Sequence, residues 1–330
     1  MSAFRTIANV NQSPELINIK DGVLTVGSCF ADAMGEKFIQ HKFTVLKNPF
    51  GTTYNPLSIH TQLAYAIHNQ LPAQHTFLEN NDVHLNYNFH SSLSDLSQPA
   101  LEKIVAETIG KAHYFLKNTN WLMITYGTAW MYTRKDTGEV VANCHKIPAT
   151  EFEKELCTQK RMLDSFEDVY SKLKSFNPNL NIILTVSPVR HLKDTLELNS
   201  VSKSVLRLAC HTLTQQHKDV HYFPAYEIML DDLRDYRFYK TDMIHPSEDA
   251  ETYIWNKFSD AYVDAPTQDF IQQWQSIRLA LQHKPFHPTS AAHQAFLKNT
   301  LAQLESVSNI VNVDKEINGI KSAIQVTNKS

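Results

Sequence analysis

The chain has 330 residues, 42% of them hydrophobic, enough to bury a sizeable core. Its 31 lysines and arginines against 34 aspartates and glutamates give a formal net charge of −3, and no block of like charge supplies the basic face that nucleic acid or an anionic membrane surface needs. The opening residues lack a secretory apolar core, no run of about 18 apolar residues occurs, and Cys29, Cys144, Cys157 and Cys210 form no C-x-x-C pair, so a cytoplasmic protein with reduced thiols and no metal site is expected.

In chain order, GVLTVG reads as a buried strand, and Cys29 to His41 follows with helical apolar spacing at Phe30, Ala33, Met34 and Phe38. FTVLK (Phe43 to Lys47) is a second strand, and Pro56 suits the first turn of a helix running to about Asn69. His75 to Ser97 breaks this rhythm with short β-like runs and is expected to be an insertion or lid. An amphipathic helix over Pro99 to Lys117 precedes the strand WLMITYG, then a hairpin pattern turning at Asp136 to Gly138. Thr150 and Glu153 form a T-x-x-E pattern, expected to be the capping box that opens the next helices.

LNIILTVSPV is a further central strand, Asp194 to His217 is helical, and VHYFP is a short strand. The alternation predicts an α/β domain over 1–262 with a central parallel sheet. Beyond it, DFIQQWQSIRLALQ and AAHQAFLKNTLAQLESV predict a helical extension over 263–330. Ligands of such sheets settle at the carboxyl ends of the strands, which places the expected site on Gly27-Ser28, Asn48 to Asn55, Gly127-Thr128, Ser187 to Arg190 and Thr241 to His245.

A serine between a strand and a helix is commonly a helix cap. It becomes a nucleophile when a base faces it, and YKTDMIHPSEDAETYIW supplies one: a carboxylate at Asp242, three residues before His245, can fix the imidazole tautomer and leave the far nitrogen free toward Ser28. Cys29 is a second potential attacker at a helix N-terminus. It is expected to pack inward against the apolar helix face while Ser28 points out over the carboxyl edge. Arg190 suits a bidentate grip on a substrate carboxylate or phosphate, or a local pair with Asp194 or Asp242. The sixteen histidines include no H-E-x-x-H motif.

The chain resembles the GSCFA family, whose motif stands here as Gly27-Ser28-Cys29-Phe30-Ala31, and through it is similar to the SGNH (GDSL-like) esterases. NPFGTTYNPLSI, HSS at His90 to Ser92, YGTAW, VANCHK, TVSPVRHLKD, FPAYEI, DDLRDYRFY and DMIHPSE occur in the family's order over about Val23 to Phe258. The resemblance implies a flavodoxin-like three-layer hydrolase fold with Ser28 as nucleophile, His245 as base and Asp242 as its orienter. It also implies an oxyanion hole from the backbone N–H groups of Ser28 and Gly51. The asparagine of the SGNH G-x-N-D block is absent, since Gly127-Thr128-Ala129-Trp130 stands there; Thr128, or else Asn143, is the expected replacement donor. Asn55, His90, Trp130, His145 and Arg190 are the expected substrate contacts.

The function expected on these grounds is a serine esterase or acyl-transfer enzyme acting on an O-acyl ester, with an O-acetylated carbohydrate as the candidate substrate, no cofactor, and neither nucleic acid nor membrane as partner. The alternative is a glycan- or peptide-binding module that keeps the fold with little or no turnover.

Overall fold

The computed structural model describes residues 6–327. The strand β1 (Gly22–Gly27) is buried beyond its first residue, as a parallel strand covered on both faces must be. It ends at Gly27, whose φ of +125° suits glycine; a Cβ there would overlap the Thr125 carbonyl oxygen. Ser28 then caps α1 (Cys29–Gln40). β2 (Thr44–Lys47) starts one residue later than the FTVLK run, because the Phe43 N–H turns back to the Phe38 carbonyl at 3.1 Å. Asn55 caps α2 (Pro56–His68), with the proline in the first turn.

The interrupting segment carries the hairpin β3 (Phe77–Asn80) and β4 (Val83–Asn86), turned by Asn81 and Asp82, both at positive φ as two-residue hairpin loops require. The helix α3 (Gln98–Asn118) leads into β5 (Trp121–Tyr126), and a separate antiparallel sheet follows: β6 (Trp130–Arg134), β7 (Val140–Val141) and β8 (Phe152–Leu156), in the order β7-β6-β8. The third of these strands corrects the expected capping box. Phe152 to Leu156 pairs along β6, with Arg134 opposite Phe152 and Trp130 opposite Leu156, so Glu153 lies in a strand. The helix α4 (Gln159–Phe176) begins instead at Thr158, whose hydroxyl accepts the Arg161 N–H.

The strand β9 (Asn181–Val186), α5 (Thr195–Gln216), β10 (Val220–Tyr222), the single turn α6 (Ala225–Glu227) and α7 (Glu248–Tyr262) complete the α/β body. Three helices follow it, α8 (Ala265–Gln282), α9 (Ala291–Val307) and α10 (Asp314–Thr327), one more than the apolar periodicity predicts.

Five strands pair in parallel in the order β10-β9-β5-β1-β2. Chain direction across the sheet therefore reverses between β1 and β5, the doubly wound, flavodoxin-like arrangement. Side-chain alternation divides the core in two. Leu24, Leu122, Ile124 and Leu184 join α2 to α5 on one face. Val23, Trp121, Met123 and Ile183 join α1 and α7 on the other, and α8 to α10 add Phe270, Trp274, Leu297, Leu304 and Ile320 to that same cluster. Among the described residues, no helix is long and apolar enough to cross a membrane.

Candidate active site

The reversal of strand order opens a crevice at the carboxyl ends of β1 and β5, and two turns meet there. Ser28 N–H donates to the Thr125 carbonyl at 3.0 Å, and Gly127 and Thr128 N–H both donate to the Tyr54 carbonyl, at 2.9 and 3.1 Å. A Cβ on Gly127 would stand 3.2 Å from Ser28 Cβ and 3.0 Å from the Tyr54 ring. Asn48 fixes the first turn from the other side: its Oδ1 accepts the Gly27 N–H at 3.1 Å and its Nδ2 donates to Asp32 at 3.0 Å.

Ser28 is held among these loops at 0% exposure, its Oγ accepting the Phe30 N–H at 3.4 Å. Cys29 is the more exposed of the two, the reverse of the outward serine expected from the turn, because Gly127, itself against Tyr54, packs on Ser28. Burial and the Asp32 carboxylate push the Cys29 thiol up to about 11, so it stays protonated and is a poor nucleophile.

His245 Nδ1–H donates to Asp242 Oδ2 at 2.7 Å, while Asp242 Oδ1 accepts the backbone N–H of Ile244 at 2.9 Å and of His245 at 3.0 Å. These donors, the His245 backbone N–H foremost, hold the carboxyl down to about 2. With Nδ1 carrying the proton, Nε2 is the basic nitrogen. The pair is partly exposed, and the Arg190 N–H, donating to the Ile244 carbonyl at 3.2 Å, fastens its loop to the one after β9. No hydrogen bond joins Ser28 to His245 among the described residues.

Gly51 lies in the Asn48–Asn55 loop at φ +71°, with its N–H donating to the Asn48 carbonyl at 2.9 Å; a Cβ there would strike His90. His90 thus backs the Gly51 turn, its Nδ1 bonded to Ser92. The Thr128 hydroxyl shares a hydrogen bond with Ser202 of α5 at 2.9 Å and accepts the Trp130 N–H at 3.1 Å, so it is engaged within the protein. Asn143 is held at both ends of its amide, Oδ1 accepting the His145 N–H at 2.9 Å and Nδ2 donating to Ser91 Oγ at 3.3 Å.

Beside these turns lies a cavity of about 470 Å³, lined by Tyr54, Asn55, Thr128, Trp130, Tyr132, Asn143, His145 and Phe152 among others. Asn55, Trp130 and His145 therefore share one cavity. Arg190 does not: its guanidinium stacks on Tyr239 at 4.0 Å and Tyr236 at 5.2 Å and lines a separate cavity of about 210 Å³. Asp194 is paired with Lys154.

Two residues at the site, Tyr54 and Lys203, escape the sequence reading, while His191 is expected at this edge of the sheet beside Arg190. Tyr54 roofs Gly127, and His191 meets Tyr54 edge-on at 5.1 Å with its Nε2 buried and unbonded; burial pushes this imidazole down to about 3, so it is neutral. Lys203 lies beneath both turns at 1% exposure. Its signal was the helical spacing that puts it on the stripe of Leu206, Cys210 and Leu213.

The model of the GSCFA family matches residues 22–258, and that of the GSCFA domain protein, C-terminal domain, matches 274–326; the chain belongs to the GSCFA family. No curated protein matches it. Among solved structures it is similar, at 11% identity and a TM-score of 0.38, to a Streptococcus pneumonia protein provisionally assigned as a platelet activating factor, over 73% of this chain and 84% of that one. It is also similar to a Clostridium thermocellum family 3 carbohydrate esterase, at 11% identity and a TM-score of 0.31, over 77% of this chain and 98% of that one.

Proposed function

We propose that this member of the GSCFA family is a serine esterase or acyl-transfer enzyme acting on an O-acyl ester. The observation that carries the reading is the Asp242–His245 pair, an imidazole with its near nitrogen bound to a carboxylate at 2.7 Å and its far nitrogen free, on the same sheet edge as Ser28. Ser28 Oγ attacks the acyl carbon as His245 Nε2 takes its proton; His245 returns that proton to the leaving alcohol, and water or a second alcohol then releases the acyl group.

The two backbone donors of the oxyanion hole are engaged within the protein. The N–H groups of Ser28 and Gly51 are bonded to the Thr125 and Asn48 carbonyls, and Ser28 is covered, so both the Ser28 turn and the Asn48–Asn55 loop have to shift for an oxyanion to be bound. Asn143 lines the cavity with its Nδ2 held by a single 3.3 Å bond to Ser91, and this amide is better placed to supply the additional donor than the Thr128 hydroxyl, which is bonded to Ser202 and Trp130. The cavity itself suits an O-acetylated carbohydrate: Trp130, Tyr54 and Phe152 offer apolar faces to the C–H face of a sugar ring, and Asn143 offers a polar group to its hydroxyls, while His145, bonded through both ring nitrogens to Ser91 and Asn86, shapes the wall.

The second reading, a glycan-binding module without turnover, is favoured by the full burial of Ser28. Covalent capture by a fluorophosphonate separates the two. Modification of Ser28, with hydrolysis of an activated acetyl ester, supports the enzyme; an unlabelled, inactive protein supports the binding module.

A further inference from the structure

Lys203 occupies a position in α5 where an apolar residue would ordinarily pack. Its ammonium donates to the Gly127 carbonyl and to the Ser187 carbonyl, each at 2.7 Å, with the Tyr226 ring 5.6 Å away. Among the described residues no carboxylate pairs with it. A buried ammonium without a counter-charge is costly, and methionine would fill the same space without that penalty.

The two carbonyls are not arbitrary anchors. Gly127 follows β5 and is wedged between Ser28 and Tyr54. Ser187 follows β9 and begins the segment that reaches Arg190, whose N–H holds the Asp242–His245 loop through Ile244. One side chain therefore ties together the turns that flank the nucleophile and the base, and it brings a positive charge behind the wall on which Ser28 lies.

We propose that Lys203 is a positioning residue of the Ser28 site: bound to Gly127 and Ser187, it locks both turns against the nucleophile and sets a positive potential where the oxyanion of acyl transfer forms. The inference rests on the reading of Ser28 as nucleophile. Charge acting through a water-poor interior favours the negative transition state over the neutral ester, so it belongs in kcat and not in KM.

The charge is also titratable near neutrality, since burial pulls the Lys203 amine down to about 7. The groups facing it do not share that range. Cys29 on α1 is pushed up to about 11, His191 after β9 down to about 3, and Tyr226 on α6 above its ordinary value. As pH rises past neutrality, Lys203 is the group of this set that loses charge, and kcat should fall with it.

The test compares the wild-type protein with Lys203→Met and Lys203→Gln, the latter keeping an N–H donor without the charge. It measures kcat and KM for p-nitrophenyl acetate across the pH range, fluorophosphonate labelling mapped to its peptide, and thermal midpoints. Expected are a loss in kcat of roughly tenfold or more at neutral pH with little change in KM, and disappearance of the alkaline fall in kcat, in variants that stay folded. Variants with wild-type kcat, or with reduced kcat but the alkaline fall intact, overturn the proposal while leaving the serine reading in place if wild type is labelled at Ser28. A wild-type protein that neither labels nor hydrolyses overturns both. If neither variant folds, the wild-type profile decides, and a kcat that does not fall on the alkaline side overturns the proposal.

Discussion

Asp242 binds His245 twice: Oδ2 accepts the ring Nδ1–H at 2.7 Å, and Oδ1 accepts the backbone N–H of the same residue at 3.0 Å. The carboxylate thereby fixes both the tautomer and the placement of the ring. Asp242→Asn should keep the fold and lower hydrolysis of an activated acetyl ester by roughly 1000-fold or more, because an amide can favour the wrong tautomer. Equal turnover in the two proteins would remove Asp242 from the mechanism. Since the folded-state value is depressed to about 2, the bond holds above the ordinary carboxyl range and is lost only as pH falls through about 2. A wild-type activity loss at mildly acidic pH therefore does not report protonation of Asp242, and a pH-rate profile reads this directly.

Ser28 and Cys29 are adjacent, and the thiol is the protonated, less reactive group. Ser28→Ala should abolish hydrolysis and fluorophosphonate labelling, whereas Cys29→Ala should leave both largely intact. Loss of the Phe30 N–H bond to the cap costs about 1 kcal/mol, so the serine variant remains folded by circular dichroism and thermal melting. The opposite pattern makes this a thiol enzyme.

Thr128 and Asn143 should separate stability from turnover. Thr128→Val removes the hydroxyl shared with Ser202 and the acceptor of the Trp130 N–H, and is expected to cost about 1 kcal/mol or more in urea denaturation. Asn143→Ala removes the long bond to Ser91 and the acceptor of the His145 N–H, and is expected to lower kcat by roughly 100-fold, well beyond what the stability cost of about 1 kcal/mol that it shares with Thr128→Val explains. A kcat unaffected in Asn143→Ala would leave the hole with backbone donors alone.

Lys203 also predicts how stability depends on pH. Its folded-state value of about 7 lies below the ordinary 10.5, so between these the unfolded chain keeps a proton that the folded chain has lost. The burial penalty is full below about 7 and falls away as pH rises toward the ordinary value, a gain of about 1.4 kcal/mol per pH unit from this group. Denaturant titrations of wild type and Lys203→Met across that window should diverge accordingly. Parallel curves would show that the burial cost is carried elsewhere.

Much of this protein is legible residue by residue. The strand and helix periods, the Pro56 helix start, the Ser247 cap and the Asp242–His245 clamp all depend on groups a few positions apart, so the sequence alone specifies them. The family motif adds Ser28 as the residue to watch. What the tertiary structure decided is everything set by distant segments. Phe152 to Leu156 became a strand because β6 offered it an edge, overriding a local helix-start pattern. Arg190 went to the rings of Tyr236 and Tyr239 and not to a substrate cavity, since both tyrosines are folded against the loop after β9. The strand order β10-β9-β5-β1-β2 set Gly127 against Ser28, and with it the burial of that serine. Pairing partners of parallel strands are chosen by which apolar faces the crossover helices cover, a property of the assembled core. Spacing along the chain marked Lys203 as inward-facing; only the packed sheet supplied the two carbonyls that make an inward charge tolerable.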